Sequence, residues 1–405
     1  MIILFFALLI TYLLALYFHS LVLREGQLIW LSLGVFFYVP VAASLWVPSS
    51  YFSEQIFEVL VGAIIFNFVY VALLIGVSWG ARWGGGKLNL YSSSAPHGLS
   101  YTMFFILLLN ALGCAVYSWI SFGTVLGGNW WDTRITGWLG LLQIYSFLLS
   151  AICIYLLYLE GRYYLFLVAL GVAFYIVFLF KARALMLPIV TPFVFHILLV
   201  KKRLMLVLFF GALLLFAAVI LQNIRYVYGS GVVDPFVIVE KSLRSIVEGS
   251  GEFSLIKPFF YSLAHRNELE GYGEGWTFLR IIFFWSPSDL GLKPTDFTYS
   301  IWNLYTGERG VGGSLHPTLY GVYHLNFGWL YGLAAIFLIV QQLFIYLLLW
   351  AFKLPVYVGW SGMGAGYVLM ARGSYYNGFL QALLVVVPIV VLCFLVRKVR
   401  VFNVH

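Results

Sequence analysis

Apolar residues run along this chain in long blocks, and polar residues are gathered into the gaps between them. The apolar blocks lie at about 2–18, 28–47, 56–78, 99–120, 137–158, 163–180, 185–200, 204–222, 327–352, 356–371 and 379–396. A helix of roughly 18 or more apolar residues crosses the ~30 Å hydrocarbon layer of a bilayer. The pattern therefore predicts an all-α polytopic membrane protein with about eleven transmembrane helices. The block 356–371 is short and carries Gly359, Gly362, Gly364 and Gly366, which also fits a broken or re-entrant segment buried in protein. The first block has no basic stretch ahead of it and no small-residue cleavage site before His19, so it reads as a retained span rather than a removed signal.

One polar interruption is far larger than the others. Between about Arg225 and Asn326 lie ten of the fifteen acidic residues, eight of the 23 basic residues and three of the seven histidines. This divides the chain into a membrane bundle of about eight spans over 1–222, a large loop or lid over 223–326, and final spans with a tail over 327–405. Within the loop, Asp234 and Pro235 read as an N-cap and a first-turn proline. They open an amphipathic helix to about Val247, with Glu240, Arg244 and Glu248 on a solvated face. Further amphipathic stretches run over 258–266 and 276–285, the latter apolar except for Thr277 and Arg280. Turn signals follow at Ser286–Asp289, at Lys293–Asp296 and around Gly310, Gly312 and Gly313. The loop is thus expected to be folded.

A chain that is 63% hydrophobic and only 9% charged is not a soluble domain. Its net charge of +8 is distributed as membrane topology requires and calls for no nucleic-acid partner. Arg24, Arg82, Lys87, Arg162, Lys201, Lys202, Arg203, Lys353, Arg397, Lys398 and Arg400 fall in alternate short loops and the tail, which the positive-inside rule makes cytoplasmic. The amino terminus and the large loop then lie outside, and the carboxyl terminus inside. Cys114, Cys153 and Cys393 all fall within apolar blocks, as small hydrophobes rather than disulfide partners.

The cations left on the outer side are the more informative ones. Lys181, Arg183, Arg225 and Arg372 share one membrane level, where guanidinium and ammonium groups suit a phosphate or pyrophosphate; snorkelling to lipid headgroups would place any single one there as well. The densest run of reactive residue types is Glu308-Arg309-Gly310-Val311-Gly312-Gly313-Ser314-Leu315-His316-Pro317, which leads through Tyr320 and His324 to Asn326-Phe327-Gly328 and the next span. A histidine at the entrance to a helix can act as a base at neutral pH. The spacing of His265, His316 and His324 matches no zinc-ligand pattern. Loop aromatics such as Tyr272, Trp276 and Trp302 can stack on sugar rings, although interfacial anchoring would also place them here.

Taken together, Gly312-Gly313, His316-Pro317, Tyr320, Asn326-Phe327-Gly328, the Lys181-Ala182-Arg183 hairpin and Arg372-Gly373-Ser374 resemble features of bacterial oligosaccharide repeat-unit polymerases, the Wzy-type O-antigen polymerases. The similarity extends more distantly to O-antigen ligases, and the order of spans and loop resembles theirs over nearly the whole chain. The resemblance implies a GT-C-like fold in a bacterial inner membrane, with the large loop and the active site facing the periplasm. It also implies inverting glycosyl transfer between undecaprenyl-pyrophosphate-linked oligosaccharides, with no metal or other cofactor and with a chain-length regulator as a possible partner besides membrane lipid.

On that resemblance His316 is the base that activates the acceptor hydroxyl, and Arg309 and Glu308 stand beside it. Lys181, Arg183, Arg225, Arg280, Arg372 and Tyr320 then hold pyrophosphate and saccharide. The acidic pair in the first external loop of protein mannosyltransferases and oligosaccharyltransferases is missing: Glu54 lies there, with Glu58 one turn on, and Glu54 and Glu308 are alternative bases. An O-antigen ligase and a lipid-linked saccharide flippase are the competing readings. Ionisable residues, which ion-coupled transport requires, are nearly absent from the middle of the spans.

Overall fold

The structure, a computed structural model, describes residues 2–46, 56–83, 98–125, 137–180, 183–207, 256–269, 271–283, 294–307 and 315–402. These residues form helices and turns, with no strand among them. Eight helical runs are long and apolar enough to cross a membrane: Ile2–Leu21, Arg24–Ala42, Ile56–Gly80, Leu99–Phe122, Leu142–Leu159, Tyr163–Phe180, Leu330–Ala351 and Tyr375–Phe394. The chain is a multi-pass membrane protein by this measure. Of the remaining expected spans, 185–200 forms a shorter apolar helix, Ala184–Val200, and 204–222 lies almost wholly outside the described residues. The glycine-rich block folds as a 13-residue helix, Trp360–Arg372, too short to span ~30 Å. Nearly all of it is buried, as expected of a segment enclosed by protein.

The chain divides into two compact units, and one of them draws on all three stretches of the sequence division: Met1–Leu88, Gly249–Tyr346 and Gly366–Leu380. In this first unit α1 (Ile2–Leu21) packs along α4 (Ile56–Trp83). Between them α2 (Gln27–Leu33) widens into a π turn at Gly34–Tyr38 and continues as α3 (Val39–Trp46). Gly62 of α4 leaves room for the Tyr331 hydroxyl, which occupies the place a side chain there would take.

Polar groups inside these helices satisfy one another, as a lipid-solvated bundle demands. Asn67 Nδ2 donates to the hydroxyls of Tyr38 at 2.7 Å and Thr11 at 3.1 Å. Its Oδ1 accepts from the Tyr320 hydroxyl at 2.7 Å, and Tyr320 also meets Tyr38 at 3.0 Å. His19 is likewise enclosed, with Nδ1 2.9 Å from the Leu23 carbonyl and Nε2 2.7 Å from the Tyr70 hydroxyl. The carbonyl only accepts, so Nδ1 carries the proton and Nε2 receives one from Tyr70.

The second unit comprises Asn89–Glu248, Leu347–Ala365 and Gln381–His405. In it α5 (Leu99–Phe122) packs on α6 (Gly137–Ser150), α7 (Ile152–Leu159) and α8 (Tyr163–Phe180). Helix α9 (Leu187–Phe195) packs on α7 and continues into a π turn at His196–Val200. The Tyr155 hydroxyl meets His196 Nδ1 at 2.9 Å.

The described part of the large loop is folded and belongs to the first unit. The stretch expected over 258–266 forms α10 (Ile256–Ala264), which buries Phe259, Phe260 and Leu263. The described part of the stretch over 276–285 forms a 3₁₀ turn at Trp276–Ile281. A helix not foreseen, α11 (Phe297–Thr306), starts where the turn signal Lys293–Asp296 ends: Asp296 accepts from the Thr298 backbone N–H at 2.8 Å and caps it. Next comes α12 (Thr318–Phe327), against which α10 packs. Leu269, Phe297, Ile301 and Leu325 form a small apolar core joining these segments, with Tyr272 packed against it. The helix expected over Asp234–Val247 and the turns at 286–289 and 310–313 lie outside the described residues. The last three helices are α13 (Ala335–Ala351), α14 (Trp360–Arg372) and α15 (Tyr375–Phe402).

Candidate functional site

The entrance to α12 is a tight backbone crossing. Thr318, the first residue of the helix, is held at φ 66°, a conformation that costs a β-branched residue about 1–3 kcal/mol. Against it runs Gly373, at φ 108°, where an added Cβ would come within 2.6 Å of the Thr318 nitrogen and 3.0 Å of the Pro317 nitrogen. Only a glycine lets the two backbones approach this closely. The crossing brings His316, just before α12, beside Arg372, at the end of α14.

The electrostatics of His316 follow from that placement. Its Nδ1 is buried. Burial, and then the positive charge of Arg372, push the imidazole pKa well below its usual 6.5. His316 is therefore neutral at pH 7, with one ring nitrogen able to accept a proton. The arginine itself is half-buried.

A second guanidinium borders the same turn. Arg280 lies over the ring of Tyr376 at 5.1 Å from its centre, a cation–π contact, and its Nη1 donates to the Pro294 carbonyl. Two residues earlier Phe278 packs on Tyr375 at 4.9 Å and on Tyr323 at 5.7 Å between ring centres. This aromatic group holds the Trp276–Ile281 turn against both α12 and the first turn of α15. His316 thus lies beside Arg372, and Arg280 beside Tyr376, all within the first unit.

A separate polar cluster sits at the other end of α12. The carboxylate of Glu58, in the first turn of α4, accepts from His324 Nε2 at 2.9 Å through Oε1. It also accepts from Arg266 Nη1, at 3.1 Å through Oε1 and 3.4 Å through Oε2. On the far side of the imidazole, His324 Nδ1 lies 3.2 Å from the Tyr272 hydroxyl. The His324 side chain is fully buried, that of Glu58 is 15% exposed and that of Arg266 is 37% exposed. Burial pushes the Tyr272 phenol pKa up, and the charge of Arg266 opposes that rise. Tyr272 is carried on the loop Gly271–Gly275, whose Gly273 and Gly275 N–H groups donate to the carbonyls of Leu325 at 2.8 Å and Asn326 at 2.6 Å.

Of the residues singled out from the sequence, His316 comes beside Arg372, and Arg280 packs on the ring of Tyr376. Tyr320 instead lies in the buried network with Tyr38 and Asn67, its hydroxyl engaged there. Arg183 opens a 3₁₀ turn, Arg183–Met186, in the second unit. Lys181, Arg225, Glu308 and Arg309 lie outside the described residues, as does Glu54. His265 makes an exposed pair with Glu268 at 2.8 Å.

Sequence reasoning passed over the Glu58–His324 pairing. A signal was present in the spacing: Tyr320 and His324 lie four residues apart on one face of α12. Tyr320 and His324 face the polar residues of α4, Asn67 and Glu58, but no spacing rule says which helix they will meet. No family model, curated protein or solved structure matches this chain.

Proposed function

We propose that this membrane protein is a GT-C-like glycosyltransferase that polymerises undecaprenyl-pyrophosphate-linked oligosaccharide repeat units into an O-antigen or related surface polysaccharide. The reaction takes place on the periplasmic side of a bacterial inner membrane, under the large loop. The observation that carries the reading is the neutral imidazole of His316 held beside Arg372, with Arg280 over the ring of Tyr376 in the helix that follows. That set supplies the fixed positive charge that inverting transfer from a pyrophosphate lipid demands for its leaving group, and the transfer needs a proton acceptor for the attacking hydroxyl besides. Preorganised charge of this kind is often the largest contribution to catalysis.

In this scheme the acceptor hydroxyl attacks the anomeric carbon, the carbon–oxygen bond to pyrophosphate breaks, and the electron pair leaves on the phosphate oxygen. Arg372 and Arg280 take up the developing charge. Arg309 is proposed to extend the cationic surface and Glu308 to orient it. The resemblance to the O-antigen ligases implies His316 as the base that takes the proton of the hydroxyl. The chemistry is proposed to need no metal or other cofactor, and a chain-length regulator and membrane lipid are the proposed partners.

Purified protein supplied with a defined lipid-linked repeat unit in detergent provides the test. A polymerase yields a ladder of longer lipid-linked products. A ligase yields product only when a different lipid acceptor is added. The second reading, a flippase, is favoured by the ionisable cluster of Glu58, His324 and Arg266 beside a span, and it predicts no longer product in either case.

A further inference from the structure

Glu58, His324 and Tyr272 form a carboxylate, imidazole and phenol chain that the pyrophosphate side of the site does not use. Its direction is set by donor and acceptor chemistry. A carboxylate between Arg266 and His324 only accepts hydrogen bonds, so His324 Nε2 donates to Glu58 at 2.9 Å. In the neutral ring Nδ1 is then the acceptor, and the Tyr272 hydroxyl at 3.2 Å is the donor that faces it. A carboxylate behind an imidazole fixes its tautomer and ring orientation. His324 is itself fully buried, so it meets a substrate only through Tyr272, which is half-buried on the Gly271–Gly275 loop. Arg266 reaches both Glu58 and Tyr272 and places positive charge beside a phenol oxygen that is losing its proton. His316, by contrast, stands beside the guanidinium of Arg372.

We propose that Tyr272, backed by His324 and Glu58, receives the proton of the acceptor sugar's hydroxyl, leaving His316 to serve the pyrophosphate side. The assignment rests on the glycosyl-transfer reading and names its base. The acceptor O–H bond breaks and its proton passes to the Tyr272 oxygen as the phenol proton passes to His324 Nδ1. The freed oxygen bonds to the anomeric carbon as the bond to pyrophosphate breaks. The imidazolium is held by Glu58 until it releases its proton to water.

The test uses the full-length protein in detergent with a defined lipid-linked repeat unit, comparing wild type with Tyr272→Phe, Glu58→Gln and His316→Ala. Tyr272→Phe keeps the ring that packs on the Leu269 and Leu325 core and loses one hydrogen bond to His324, so it should fold with a modestly lowered melting temperature. Loss of a general base lowers kcat by roughly 100- to 10,000-fold, here with the KM for the lipid-linked donor unchanged. Azide attacks as an anion and has no proton to lose. It should therefore restore donor consumption, with glycosyl azide as product, in Tyr272→Phe and Glu58→Gln but not in His316→Ala. Elongation by Tyr272→Phe at the wild-type rate, loss of activity without azide rescue, or rescue confined to His316→Ala would each overturn the relay while leaving glycosyl transfer intact. A wild type that consumes no donor would overturn glycosyl transfer and the relay with it.

Discussion

The carboxylate of Glu58 and the imidazole of His324 meet at 2.9 Å although 266 residues separate them in the chain. Their bond ties the first turn of a membrane helix to the last turn of the helix that His316 leads into. Position at one end of α12 is thereby coupled to position at the other.

Breaking that bond should be costly. His324→Ala leaves the Glu58 carboxylate with only Arg266 and opens a space at a fully buried site, for a loss of about 2–4 kcal/mol. Arg266→Ala should cost less than about 1 kcal/mol, because the arginine is 37% exposed and screened by water. Thermal melting of the two variants in detergent gives the comparison, and equal losses would show that the pair is not the anchor.

Asn67 should prove a structural residue of the bundle. Asn67→Leu removes the group that joins Thr11, Tyr38 and Tyr320, but the two tyrosines stay within 3.0 Å of each other. A loss of about 1–2 kcal/mol is expected, with the turnover of correctly folded protein little changed. A large fall in turnover at unchanged melting temperature would instead place this network in the chemistry.

Gly373→Ala tests the backbone crossing. Its Cβ would stand 2.6 Å from the Thr318 nitrogen on a backbone at φ 108°, so the strand of chain carrying Arg372 must move away from His316. Both lower stability and loss of elongation are expected. Gly171→Ala, which meets open space on the exterior of α8, is the control that should change neither.

His316 supplies a pH signature. Its folded-state pKa lies below the unfolded value near 6.5, so the unfolded chain binds the extra proton first. Stability should therefore be complete above pH 6.5 and decline as the pH falls below it towards the folded pKa. His316→Gln should flatten the melting temperature profile over that interval, and Arg372→Gln should make it shallower by removing one cause of the shift. On the glycosyl-transfer reading His316→Ala also abolishes elongation while the protein still expresses and binds donor; a normal product ladder from that variant would remove His316 from the site.

Spans of length and apolarity were legible because crossing a bilayer is a local property: the side chains of one segment meet lipid whatever the other segments do. The same is true of α10, whose apolar face is written in Phe259, Phe260 and Leu263, and of the entry to α12 after His316-Pro317. The start of α11 was visible as well, but Asp296 was read as part of a turn, since a cap and a turn use the same residue types until the following backbone N–H is placed. The brevity of α14 was foreshadowed by its glycines, and its burial by the lack of any polar face.

The sequence by itself determined a many-helix membrane protein with one large polar loop, and it marked His316, Arg280 and Arg372 as residues of interest. Tertiary structure alone decided that His316 meets Arg372 across the Thr318 and Gly373 crossing, that Tyr320 serves the core, and that Glu58, His324, Arg266 and Tyr272 form one cluster. The physical reason is the same in each case. Apolar length acts along the chain and can be counted, whereas a buried polar group is defined by its partner, and the partner is chosen by how distant helices pack.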